Sequence, residues 1–291
     1  MKSNYSTNVR SLYRAATLIF AILIASVSAS AQTAPQPTPQ ASPTPTLESR
    51  FFKNILRDQR AIWTLPFHLR RGDAKWLLPL GLSTAALIAT DRHTAGALDD
   101  NRARLSVSRD ISYAGAIYSA GGIAGVFYLA GRAGHNTRAR ETGLLGAEAL
   151  IDTLIVEVSL KTATQRSRPR VDNSSGEFFE GGDSFPSGHA MQAWSLATVI
   201  ASEYKHHRAV QLSAYGLAAA VSVARFTVRK HFLSDALVGS AMGYGIGRYV
   251  YRKNMERGSA NTSTHSKLWP GFAPIYNGSE RDYGLALAWS F

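Results

Sequence analysis

Residues 185–204 read FPSGHAMQAWSLATVIASEY. Phe185-Pro186-Ser187-Gly188 is a turn, and from His189 to Tyr204 the apolar side chains return at the spacing of a helix. The same period continues outward in both directions, predicting helices over Leu47–Gln59, Lys75–Thr90, Ile111–Gly131, Gly143–Ala163, Ala209–Ala224 and Leu233–Tyr251. Breakers separate them at Arg71-Gly72-Asp73, across Gly131 to Asn136, and from Ser174 to Gly188. Only the tail changes period: Leu285, Leu287, Trp289 and Phe291 alternate with small residues after Asn277-Gly278, the pattern of a short hairpin. The expected fold is all-α, a helical bundle of about six core helices with a short C-terminal β-hairpin appendage.

Composition narrows the function classes. The 291 residues suffice for one large domain, and 45% hydrophobic content is that of a globular chain. The absence of cysteine removes disulfides, thiol nucleophiles and zinc–thiolate sites. A formal net charge of +12 points to anionic partners: phosphates, nucleic acid or a lipid surface. Residues 1–31 read as a signal peptide. Lys2, Arg10 and Arg14 precede the uncharged run Ala15–Val27, and Ala29-Ser30-Ala31 is a small-residue cleavage site. Residues 32–46 are a Pro-rich linker, with Pro35, Pro37, Pro39, Pro43 and Pro45. Export argues against a nucleic-acid partner.

Whether the helices span a bilayer is a real question, since Ile111–Gly131 carries no charge. Against spanning stand Glu148, Asp152, Glu157 and Lys161 within one helix, and a mean hydropathy of −0.10. Basic turns at Arg132, Arg138 and Arg140, at Lys205 and Arg208, and at Arg252, Lys253 and Arg257 would lie on the cytoplasmic side of an integral protein. An exported start conflicts with that orientation for six spans. A periplasmic bundle, soluble or membrane-associated, removes the conflict, with basic turns and the amphipathic stretch Phe51–Leu69 meeting anionic lipid.

Three short stretches carry chemistry. Lys161, Arg168 and Arg225 are cations rich in donors, suited to an anion with several oxygens. Ser187 and Gly188 open a helix, where free backbone N–H groups and the helix dipole favour phosphate. His189 and His231 are a candidate acid and nucleophile, and Asp235, four residues after His231, is placed to orient its imidazole. The first stretch ends one helix, the second begins the next, and the third joins the following two. In an up-and-down bundle those four ends meet on one side.

The three stretches, Lys161-x6-Arg168-Pro169, Pro186-Ser187-Gly188-His189 and Arg225-x5-His231-x3-Asp235, resemble the motifs of the type-2 phosphatidic acid phosphatase family. Its superfamily also holds bacterial acid phosphatases and vanadium haloperoxidases. Ala224 stands where the family has serine. The resemblance implies a phosphatase helical bundle over residues 73–257; outside it, residues 47–72 read as an amphipathic helical lead-in and 258–291 as a C-terminal tail with the hairpin. It implies attack by His231, oriented by Asp235, with His189 as proton donor. Lys161, Arg168, Arg225, Ser187 and Gly188 would hold the phosphate, with no metal and no cofactor. The implied substrate is a lipid phosphate or a small soluble phosphoester. A vanadate-dependent haloperoxidase and a non-catalytic anion-binding protein are the alternative readings of the same pocket.

Overall fold

A computed structural model describes residues 47–98, 101–169, 176–263, 271–277 and 282–288, with side chains described as far as residue 256. The expected signal peptide and Pro-rich linker lie outside the described residues. Eight helices are present among those residues: α1 Leu47–Thr64, α2 Ala74–Gly96, α3 Arg102–Ala114, α4 Ile117–Ala133, α5 Thr137–Thr164, α6 Gly188–Glu203, α7 Arg208–Thr227 and α8 Leu233–Ser263. The fold is all-α, as the periodicity predicts.

The central layer is made of small side chains. Ala120, Ala124 and Phe127 of α4 meet Ala139 and Leu150 of α5, Leu196, Ala197 and Ile200 of α6, and Val210, Ala214 and Ala218 of α7. Alanines bring the helix axes close, so each lost methyl contact would be felt by a neighbouring backbone. Helix α8 lies along α6, with Gly243 against Met191 and Gly247 against Ser195.

The predicted helix Ile111–Gly131 is corrected to two helices, α3 and α4, bent by 46° at Gly115 and Ala116. At the break Gly115 N–H donates to Ser112 O at 3.1 Å and Ala116 N–H to Tyr113 O at 3.1 Å, a tightening that ends the α-helix. A side chain on Gly115 would press the His189 carbonyl at 2.9 Å and collide with Val221. The chain turns where α3 must touch the start of α6. Residues 102–110, given no helix by the periodicity, form the first part of α3, capped by Asn101, whose side chain accepts from Ala103 N–H and Arg104 N–H.

Helix α1 is amphipathic as expected, but it docks by its polar face. Its buried residues are Asn54, Ile55 and Asp58, while Phe52 is 77% exposed and Leu56 75%. Asn54 donates to Glu148 at 3.3 Å, Gln59 to Asp152 at 2.9 Å, and Tyr249 of α8 to Asp58 at 3.4 Å. Three acids are thus buried together. Burial, with the Asp58 carboxyl beside it, pushes Glu148 well above the ordinary carboxylate range. Burial raises Asp152 to about 7, with Gln59 opposing and the Asp58 charge reinforcing.

These shifts set the sign of a stability change. Between pH ~4 and ~7 the folded chain keeps a proton on Asp152 that the unfolded chain has released. The unfolded state therefore binds fewer protons, and stability falls as pH rises through that window, with Glu148 extending the fall higher. Asp152→Asn, which imitates the protonated acid, is expected to flatten the decline of melting temperature between pH 4 and 7. An unchanged slope would contradict this assignment.

Residues 251–291 form a separate compact unit. It contains the end of α8, which runs to Ser263, and strands β1 (Gly271–Asn277) and β2 (Asp282–Ala288). The strands pair antiparallel, Gly271 opposite Ala288 and Asn277 opposite Asp282. The predicted hairpin is therefore present, beginning before the Asn277-Gly278 step; that step's second residue lies outside the described residues.

Candidate active site

Helix α5 stops at Gln165, which takes a left-handed conformation (φ 44°) and donates its N–H to Lys161 O at 2.9 Å. Lys161 is left in the last turn, and the chain folds back over the helix end. Phe179 N–H reaches Thr164 O at 2.9 Å, and Ser184 N–H reaches Arg166 O at 2.8 Å. Two elements of the first motif are thereby placed beside the second. Helix α6 then starts at Gly188, which packs against Glu157 of α5.

The proposed phosphate ligands have partners of their own. Lys161 Nζ lies 2.6 Å from Glu157 Oε1. The Glu157 carboxylate rests against Gly188, where any side chain would collide with it. A carboxylate thus sits at the N-terminus of α6, the place the helix dipole makes attractive to anions. Arg168 grips Asp183 with two bonds, Nε to Oδ1 at 2.6 Å and Nη2 to Oδ2 at 2.7 Å. Burial pushes Asp183 upward, yet Arg168 outweighs it, with Lys161 and His231 assisting, and holds the acid below its ordinary range.

Within the motif residues, the buried donors Ser187 Oγ and Arg225 Nε have no hydrogen-bond partner. Arg225 is otherwise fixed by α3, its Nη1 donating to Ser112 Oγ at 2.7 Å. Burial and the Arg168 charge pull its pKa down to about 10, leaving it a cation at neutral pH. The sequence expectation for Ser187 needs a correction. Its backbone N–H is taken, donating to Asp235 O at 3.0 Å, so what Ser187 can offer an anion is its hydroxyl.

His231 is buried, 1% exposed. Its Nδ1 lies 2.6 Å from the Ser184 carbonyl oxygen. A carbonyl only accepts, so Nδ1 carries the hydrogen and Nε2 keeps its lone pair. Burial pushes this imidazole below its ordinary range; Asp235 opposes, and Arg225 and Arg168 reinforce. Asp235 Oδ2 is 3.8 Å from Nδ1, beyond hydrogen-bond reach. That oxygen instead accepts from Ser184 Oγ at 2.6 Å and from Phe232 N–H at 2.9 Å. Asp235 thus acts on His231 through Ser184, whose hydroxyl it fixes and whose carbonyl holds the ring.

Behind Asp235 lies a charged network the motifs do not reveal. Arg166 is completely buried. Its Nη1 donates to Asp235 Oδ1 at 2.5 Å and to Ser234 Oγ at 2.7 Å, Nη2 to Asp91 Oδ2 at 2.9 Å, and Nε to Gly176 O at 2.9 Å. Ser234 Oγ closes the ring with a very short bond to Asp91. Phe178 and Phe232 flank the guanidinium, 4.8 and 4.6 Å from their ring centroids. Arg166 lies within the x6 gap of the first motif, and Asp91 is an acid at the edge of an apolar helix. Those two oddities are the signals the sequence offered.

His189 sits at the start of α6 with its pKa lowered to about 3. Burial is the main cause, followed by the positive charges of Arg225, His231, Lys161 and Arg168. His189 and Arg225 line one cleft, His189 feels the charges of His231, Lys161 and Arg168, and Ser187 is bonded to Asp235. Two histidines, three cations and two unpartnered donors around a helix N-terminus are equipment for phosphoryl transfer.

Residues 142–259 match the family model of the PAP2 superfamily. That match spans the three motifs and names the superfamily they resemble. Among solved structures the chain is similar to a transmembrane PAP2-type phosphatidylglycerolphosphate phosphatase from Bacillus subtilis, at 21% identity and a TM-score of 0.44, over 71% of this chain and 94% of that one. It is also similar to LpxE from Aquifex aeolicus, at 18% identity and a TM-score of 0.43, over 56% of this chain and 93% of that one. No curated protein matches the chain.

Proposed function

We propose that the protein is a phosphatase that hydrolyses phosphomonoesters by way of a phosphohistidine, with a lipid phosphate as substrate. The observation that carries this reading is the pair formed by a buried His231, its Nε2 lone pair free, and the buried unpartnered donors Ser187 Oγ and Arg225 Nε. Nε2 attacks phosphorus as the bond to the leaving oxygen breaks. His189 passes a proton to that oxygen, and then, as a base, takes one from the water that cleaves the nitrogen–phosphorus bond. A bound phosphate offsets the surrounding cations that help depress His189, so the anion itself brings the imidazole toward the protonated form the first step needs.

Charge on the phosphoryl oxygens is met by Lys161, Arg168 and Arg225, a role that needs no metal. For this, Lys161 has to exchange the Glu157 carboxylate for a phosphate oxygen, and Arg168 has to share itself with Asp183.

The lipid assignment rests on where apolar side chains point. Helix α1 turns Phe52 and Leu56 outward, and beyond it Phe67 is 85% exposed, Trp76 73% and Leu82 71%. Helix α2 buries only Asp91 and Ala95 among its 23 residues. Such a surface, interspersed with Arg57, Arg60, Arg70, Arg71 and Lys75, suits the interface of an anionic membrane. By length and composition, α7 is apolar enough to cross a bilayer, as are α3 and α4 taken together. We place the enzyme on the exported side of a membrane.

The test is phosphate release, in the presence of EDTA, from dioleoyl phosphatidic acid in mixed micelles and from a small aryl phosphate. The account expects release resistant to EDTA, at least tenfold faster per active site from the lipid, and inhibited by vanadate. Halide oxidation with vanadate and peroxide, without phosphate release, would overturn it in favour of a peroxidase.

A further inference from the structure

We infer that Glu157 is a built-in competitor for phosphate: its carboxylate occupies the anion site while that site is empty, is displaced when a phosphoryl group enters, and returns as the released phosphate leaves. The inference rests on the phosphatase reading above for the identity of the anion. It deepens that reading by naming what sets affinity at the same site.

The placement follows from helix spacing. Glu157 and Lys161 stand four residues apart in the last turns of α5, hence on one face, with the acid N-terminal to the base. Lys161 Nζ lies 2.6 Å from Glu157 Oε1, and both side chains are withdrawn from water, Lys161 20% exposed and Glu157 14%. The carboxylate carbon and both its oxygens crowd the position that a side chain on Gly188 would fill. Gly188 is the first residue of α6, so the carboxylate meets the positive end of that helix. Its charge also reaches Arg225, whose cationic form it supports. One carboxylate therefore engages a lysine, a helix start and the field of an arginine, all groups assigned above to phosphate. Asp183 differs: it is held by Arg168, and its side chain is 59% exposed, so water shares its charge.

Glu157 and phosphate cannot hold this place together. Only a residue without a side chain lets either approach the start of α6 closely, and two anions against one glycine repel across a short distance. Ser187 Oγ and Arg225 Nε, buried and without a hydrogen-bond partner, are not taken by Glu157. They remain for the anion that replaces it, so the site is completed only by displacement. A ligand that needs the open arrangement binds more weakly by the fraction of time the place is open, so an open fraction of about one tenth weakens phosphate about tenfold. A lipid substrate offsets this loss with contacts of its apolar part, whereas free phosphate has none and leaves.

The experiment is calorimetric titration of inorganic phosphate into the full chain in detergent micelles at about pH 7, comparing wild type with Glu157→Gln and Glu157→Ala. Both variants are expected to bind phosphate about tenfold more tightly, and the inhibition constant of phosphate during turnover of phosphatidic acid to fall by the same factor. A residue that merely positioned Lys161 would give the opposite sign, because its loss would leave the ammonium misplaced. Equal or weaker binding by either variant, shown to be folded by its melting curve, overturns the inference. The phosphatase reading fails separately: if the wild-type chain releases no phosphate from phosphatidic acid while both variants bind phosphate more tightly, the competitor stands and the pocket is an anion-binding site.

Discussion

Replacing His231 by Gln is expected to abolish phosphate release, by about 10⁴-fold or more, while leaving the melting temperature nearly unchanged. Loss of the nucleophile in a covalent mechanism removes the whole route, and the remaining groups supply only binding and charge stabilisation. Glutamine keeps much of the volume of the imidazole, and its amide can still donate to the Ser184 carbonyl where Nδ1 now does. The fold should therefore survive, and micelles containing phosphatidic acid should still bind. A variant that folds and retains a tenth of the wild-type rate would contradict the role given to His231. The same substitution at His189 should leave a slow first step that is faster with good leaving groups, because an aryl oxide needs its proton less than an alkoxide does.

The second large effect is expected at Arg166, which touches neither reacting histidine. Arg166→Ala leaves Asp91 and Asp235 buried without their shared cation, a change that typically costs about 3–5 kcal/mol. For a body of this size each kcal/mol lowers the melting temperature by roughly 2–4 °C, so a fall of about 6–20 °C is expected. Arg166→Lys separates fold from function. A single ammonium cannot reach Gly176, Asp91, Ser234 and Asp235 at once as the guanidinium does. That variant should recover part of the stability and still turn over slowly, since Asp235 no longer fixes Ser184 and Ser184 no longer fixes the His231 ring. A double-mutant cycle between Arg166→Ala and Asp91→Ala should show coupling of about 1–3 kcal/mol, and simple additivity would contradict the network.

The site was legible in the sequence to the extent that each chemical residue also marks a helix end. Lys161 precedes a stop, Ser187-Gly188 opens α6, and Arg225 and His231 bracket the turn before α8, so helix order alone points them to one end of the bundle. What could not be read are contacts decided across the chain. Arg166 meets Asp91 over 75 residues, and nothing in either local pattern names the other. Gly115 sits in a run that reads as continuous helix, and only the approach of the His189 carbonyl shows why the helix must break there. In α1 the periodicity shows two faces but not which faces inward. The polar one does, because Glu148 and Asp152 on α5 offer it partners. The backbone N–H of Ser187 looked free by its place at a helix start, yet the Asp235 carbonyl claims it.

The central claim is that phosphate passes through His231. Its most direct test is to incubate the full chain briefly with ³²P-labelled phosphatidic acid, quench in alkali, where phosphohistidine survives, and map the label by peptide sequencing. The account predicts label on the peptide containing His231, in an amount approaching one per active chain, lost on acid treatment and absent from His231→Gln. Rapid phosphate release with no label retained, or label on any other residue, would contradict it.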